Sequence, residues 1–221
     1  MPTNSDADHY ETNDDFVEKL KEIGTNVVHF CGALLKRPSI AKKANHTDIV
    51  SAAIVMALFA LIIAFSYYFV IQYSILASFY MNVSIIDSLV LPFIVFILLQ
   101  LIMAGITFAG AKLAAQAVTF ADVLAKYGAY LVPFAILYVV ALVFSLIGLS
   151  VLAGLFIFIS ILGLLMMVPT FILMEQTPEG IDRIYILLGL YALATLVFGV
   201  FIRAFAQSMI GNIMGSMLGG F

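Results

Sequence analysis

Few residues in this sequence could do chemistry, and most of them precede the first long apolar segment. The three histidines, His9, His29 and His46, have no second His, no Cys and no carboxylate pair at metal-ligand spacing. The single cysteine, Cys31, has no obvious activating partner. No Asp pair lies within an apolar segment, and no glycine-rich phosphate loop is present. We therefore predict a protein that is not an enzyme and has no catalytic, metal or cofactor site.

The composition indicates that the bilayer is the main solvent of this chain. Of the 221 residues, 64% are hydrophobic and 10% are charged, whereas a soluble domain has about 25% charged residues. Too little polar surface remains to cover a globule in water. No basic stripe with interleaved aromatic residues occurs, so we expect no nucleic-acid partner.

The polar N-terminal part divides into two segments. Residues 1–14 are acidic, and we predict that they are disordered. Residues 15–48 are predicted to form an amphipathic helix and a basic juxtamembrane segment, with Asp15 and Glu18 as a capping box at the start and Pro38 after the end. The apolar stripe of this helix either packs on the protein's own helices or lies on the bilayer surface. Its members are Phe16, Leu20, Ile23, Val27, Phe30 and Leu34.

Four basic residues come directly before the membrane: Lys36, Arg37, Lys42 and Lys43. They suit attraction to anionic head groups, at roughly 1 kcal/mol each. Basic residues at this position are also ordinary topology signals under the positive-inside rule. The two interpretations are compatible.

Residues 49–206 are predicted to be a membrane domain of five transmembrane helices, so the fold class is all-α. The spans are 49–73, 88–111, 128–147, 152–174 and 184–206. The uncharged segment 127–174 would reach about 72 Å as one helix, so it must fold back, and IGLSVLAG at 147–154 is the only Gly/Ser-rich break near its middle. Thr177 as N-cap, Pro178 and Glu179 predict the helix start before span five.

The distribution of basic residues predicts the orientation. With five spans, nine of the ten Lys and Arg residues lie on the same side as the N-terminus, and only Arg203 lies at the other end. The positive-inside rule places that N-terminal side in the cytoplasm and the C-terminus outside. We expect an integral protein of a bacterial plasma membrane.

The segment TFADVLAKYGAYLVPF, residues 119–134, is polar at its start and apolar at its end. Thr119 is predicted to cap a helix together with Asp122, and Asp122 to pair with Lys126 one turn later. Phe120 and Tyr127 share an apolar helical face, and Pro133 lies inside the span, where it permits a kink. This helix-start motif is predicted to fix where the chain returns into the membrane.

The helix-start motif resembles a segment that leads into the third helix of the Yip (Ypt-interacting-protein-like) family of membrane proteins. The segment LLKRPSIAKKAN before span one and the five-span layout are similar to bacterial members, although the zinc ribbon that many of these carry is lacking. The resemblance implies a non-enzymatic scaffold or accessory protein that interacts with other membrane proteins. The alternatives are a subunit or modulator of a transporter or export system, for example in toxin defence, and a small permease acting alone.

Two further features bear on packing and partners. Gln100 lies in the middle of span two and is predicted to be an interhelical hydrogen-bond partner rather than a substrate ligand. In the Gly-rich apolar tail 207–221, Gly211, Gly215 and Gly219 repeat every four residues. Such a face suits a second copy or a membrane-protein partner; otherwise the tail is a loose end or packs on span five. The expected partners are therefore the lipid bilayer and such a protein. The sequence identifies no small-molecule substrate.

Overall fold

The computed structural model describes residues 5–73, 85–114, 116–175 and 180–218. Within these ranges the regular structure is helical and there is no strand, which confirms the all-α prediction. The α-helices are α1 (Ser5–Lys36), α2 (Ile49–Tyr73), α3 (Leu91–Leu113), α4 (Phe120–Leu146), α5 (Ser150–Leu162), α6 (Val168–Leu173) and α7 (Arg183–Leu218).

The described residues contain five segments that are long and apolar enough to cross a membrane, as the sequence predicts. They are His46–Ile71, Ile86–Leu113, Phe120–Leu146, Ser150–Leu173 and Arg183–Ala204. The fourth consists of α5, a π-helical turn and α6 in series. The chain is therefore a polytopic, all-α integral membrane protein. We call the end of the bundle at which α2 begins the N-terminal side, and the opposite end the far side.

Two π-helical turns interrupt the spans, and each precedes a proline. The turn Ile86–Val90 comes before Pro92, and the turn Gly163–Met167 comes before Pro169. A proline has no N–H to donate, and its ring clashes with the carbonyl four residues earlier. A wider turn at that place relieves the clash.

Helix α1 begins earlier than the sequence predicts. It starts at Ser5 rather than at Asp15, so residues 5–14 are helical and Asp15 and Glu18 lie inside the helix. The C-terminal part of α1 packs on α2 and α4, where Val27 and Leu34 are buried. That part of the predicted apolar stripe therefore faces the protein's own helices.

The connections on the two sides differ. On the far side, α4 and α5 are joined by a tight hairpin at Ile147–Leu149, within the predicted break, and Gly148 there has a φ of 84°. That conformation is open to glycine and costly for residues with a side chain. On the N-terminal side, 3₁₀ helices at Pro38–Lys43 and His46–Asp48 join α1 to α2.

Helix α7 begins at Arg183 and continues well beyond the fifth span. The Asp182 side chain caps it, since Oδ1 accepts a hydrogen bond from the Ile184 N–H at 2.8 Å. The predicted start at Thr177, Pro178 and Glu179 lies outside the described residues. The tail continues span five as helix to Leu218.

Candidate functional site

The helix-start motif begins with the predicted cap. The Thr119 Oγ1 accepts a hydrogen bond from the Asp122 N–H at 3.2 Å, and the Asp122 Oδ2 accepts one from the Thr119 N–H at 3.1 Å. Each side chain satisfies a backbone donor that the first helical turn leaves free. The capping box that the sequence predicts is confirmed.

The predicted pair of Asp122 with Lys126 is wrong. The Asp122 Oδ1 accepts a hydrogen bond from the His46 backbone N–H at 3.1 Å and lies 3.8 Å from the His46 imidazole Nδ1. His46 lies directly after Asn45, which forms a second capping box with Asp48. The start of α4 is thus tied to the segment that leads into α2, and this tertiary contact replaces the local one.

Lys126 instead forms an ion pair across the bundle. Its Nζ donates to Glu175 Oε2, just after α6, and the two side chains are only 11% and 7% exposed. The Tyr130 hydroxyl donates to the other carboxylate oxygen, Oε1, at 2.8 Å. We call Lys126, Tyr130 and Glu175 the buried polar cluster. It closes the N-terminal side of the bundle between α4 and the end of the fourth span.

The residue after Lys126, Tyr127, anchors the π-helical turn of the fourth span. The Tyr127 side chain is fully buried, and its hydroxyl donates to the Leu164 carbonyl at 2.7 Å. The same helices meet again where the Ser160 hydroxyl donates to the Phe134 carbonyl at 2.7 Å. Every residue from Val123 to Val132 except Leu124 is buried, so the motif occupies the centre of the bundle rather than one edge.

Gly128 is a residue of this motif that the sequence analysis did not single out. A Cβ on Gly128 would lie 2.6 Å from the Ala52 carbonyl oxygen and 2.7 Å from its Cα. Because these are backbone atoms of α2, they cannot swing away. Gly128 therefore sets the close approach of α2 and α4, and a glycine inside a helical segment is the sequence signal that points to such a contact.

The other predicted residues lie apart from the motif. Phe120, at the start of α4, is exposed, with its ring edge-on to Phe108. Pro133 lies within α4, which continues unbroken as helix to Leu146. Gln100 is fully buried, and its Nε2 donates to the Met56 carbonyl of α2 at 3.1 Å, which fits its predicted interhelical role.

The basic and glycine positions occupy opposite ends of the molecule. The four predicted membrane-surface residues are exposed on the N-terminal side: Lys36, Arg37, Lys42 and Lys43. Their contact with head groups stays a prediction. Gly211 and Gly215 lie in the far extension of α7, and Gly219 lies outside the described residues. Their role in assembly also stays a prediction.

A cavity of about 270 Å³ lies beside the buried polar cluster. Its lining includes Lys42, Tyr130, Phe171 and Glu175. Among the residues that the structure describes, no three His, Cys, Asp or Glu side chains come together as metal ligands.

Comparisons of this chain with protein-family models, with curated proteins and with solved structures find no match.

Proposed function

We propose that this protein is a non-enzymatic scaffold or accessory protein that engages other membrane proteins, in the manner of the Yip family that its sequence resembles. In this proposal the N-terminal side is cytoplasmic, since nine of the ten basic residues lie there. The membrane is a bacterial plasma membrane. The bundle anchors the protein and holds helix α1 in a fixed position for a partner.

One observation carries the proposal: α1 is held by one apolar face and leaves a second one uncovered. Val27 packs against the bundle and is 8% exposed, whereas its neighbour Val28 is 73% exposed. Leu35, seven residues after Val28 and on the same face, is 52% exposed. Exposed apolar residues on a rigidly held helix fit a protein or membrane contact. Helix α1 could not slide to hide them without exposing Val27 and Leu34.

The test is photo-crosslinking in native membranes with matched probes on α1. A photo-reactive amino acid at Val28 should capture the same membrane protein in repeated experiments. The same probe at Val27 is the control, because it faces the bundle and should crosslink within the chain. If Val28 captures only lipid or the chain itself, the scaffold proposal fails. Capture of a transport ATPase or a permease would instead favour the alternative of a transporter subunit.

A further inference from the structure

A second and much larger cavity lies in the far half of the bundle. It has a volume of about 980 Å³ and is lined by residues from all five spans. Residues at its walls include Ile62 of α2, Leu99 of α3, Leu142 of α4, Ile161 of α5 and Phe198 of α7. Its volume is at the upper end of the roughly 300–1,000 Å³ that small-molecule sites occupy.

The course of α7 explains why the bundle opens here. On the N-terminal half of the helix, Ile186, Leu190 and Ala194 are buried and recur on one face. From Thr195 to Ala204 no described residue of α7 is buried. The fifth span therefore packs closely at its start and less tightly towards the far side, where Val197, Phe198 and Phe201 contact the core but are only partly buried. The cavity lies beside this loosely packed part of α7, between it and α2 and α4.

The lining offers hydrocarbon to an occupant and few free polar groups. Among the described residues around the cavity none is charged. The Ser66 hydroxyl donates to the Ile62 carbonyl at 2.7 Å, and the Tyr138 side chain is hydrogen-bonded to Ser66. These hydroxyls are already paired within the protein. A polar ligand would lose its hydration here and gain few partners, so the lining favours an apolar one.

The cavity is partly open, and its open side lies along membrane-spanning segments. Exposed residues at its rim, such as Phe69, Val139 and Ile202, lie within three of the membrane-spanning segments. At that depth the surroundings are lipid hydrocarbon, and water is absent. An empty cavity would leave the lining atoms without contacts that a chain of methylene groups supplies.

We infer that this cavity is a lipid-binding site that takes up an acyl chain of a membrane lipid through its side opening. The occupant enters sideways from the bilayer, and its head group stays at the far surface. The inference does not depend on the proposed scaffold function, because it concerns a different face of the molecule and needs no protein partner.

The test uses the full chain, purified and reconstituted without partners into vesicles of phosphatidylethanolamine and phosphatidylglycerol. A phospholipid with a photo-reactive group on its acyl chain is included as the probe, and labelled residues are mapped by mass spectrometry. We expect labelling to concentrate on cavity residues such as Leu99, Leu142 and Ile161. Leu142→Trp, which fills the cavity, should lower this labelling by roughly tenfold, equivalent to about 1.4 kcal/mol.

Val143→Trp is the matched control. Val143 is the next residue of α4, lies at the same depth, is 51% exposed and does not line the cavity, so its substitution should leave the labelling unchanged. Val139→Trp, at the rim, serves as a second filling variant if Leu142→Trp does not fold. The inference is overturned if labelling is equally dense on outward-facing residues such as Leu188, or if neither filling variant lowers it. An unlabelled cavity, as when a second copy of the chain covers it, would overturn it as well.

Discussion

At the scale of single residues, Lys126 and Glu175 form the contact whose loss should lower the stability of the fold most. Lys126→Met would leave the Glu175 carboxylate buried without its cation, and breaking a buried pair in this way costs about 3–5 kcal/mol. Glu175→Gln should be equally harmful, because it strands the Lys126 ammonium. The double variant Lys126→Met with Glu175→Gln removes both charges and should recover most of the stability. Thermal unfolding in nanodiscs measures the three effects.

The control for this series is Lys43→Met, which removes an exposed charge on the same side and should change the stability little. Two results would contradict the prediction that the charges of Lys126 and Glu175 compensate each other. One is a double variant as unstable as the sum of the two single variants. The other is a Lys126→Met protein that is as stable as the parent.

Cys31 provides a prediction about pH at the same scale. Burial raises the pKa of the Cys31 thiol above its ordinary value. Alkylating reagents react with the thiolate, so a raised pKa means less thiolate at neutral pH and slower labelling. We expect the labelling rate of the folded protein to rise with pH along a curve displaced to higher pH from that of the protein denatured in detergent. Coincident curves for the folded and denatured protein would contradict the shift.

At the scale of elements, Gly128 should control the packing of α2 against α4. Gly128→Ala forces the Ala52 backbone away, and overpacking of this kind costs about 1–3 kcal/mol. Gly105→Ala is the matched control in a neighbouring span, because no atom of another helix lies within 4 Å of its added Cβ, and alanine is the better helix former. Thermal unfolding of both variants in nanodiscs tests this. Equal stability of the two variants would show that the close approach at Gly128 is not a packing constraint.

The elements also show what the sequence could and could not predict. The spans were predictable because apolar length is a local property, and so was the Thr119 cap, which involves residues three positions apart. The partner of Lys126 was not predictable. The sequence shows Asp122 one helical turn before Lys126, whereas the actual partner, Glu175, is 49 residues away. The π-helical turns depend on how Pro92 and Pro169 are accommodated within packed helices. The far cavity depends on the looser packing of α7 after Ala194, which no pattern in the α7 sequence reveals.

At the scale of the whole molecule, the odd number of candidate spans predicts that the two ends of the membrane domain lie on opposite sides. We expect each of the five apolar segments to cross the bilayer, which would put the α1 end and the extension of α7 on opposite sides of it. A cysteine scan in a Cys31→Ser background tests this and also the orientation. Ser39→Cys reports the N-terminal side, because Ser39 is exposed and avoids the slow labelling of the half-buried Cys31. Ser216→Cys lies in the extension of α7 and reports the far side.

A membrane-impermeant maleimide added to intact cells should label Ser216→Cys and spare Ser39→Cys until the cells are permeabilised. The physical reason is the excess of Lys and Arg on the N-terminal side, which resists translocation across the membrane. The reverse pattern would keep the five-span fold but overturn the cytoplasmic placement of α1, and with it the expectation of a cytoplasmic contact at Val28. Labelling of both positions in intact cells would require an even number of crossings. It would mean that one of the five apolar helices lies within the bundle or at the surface without spanning the bilayer.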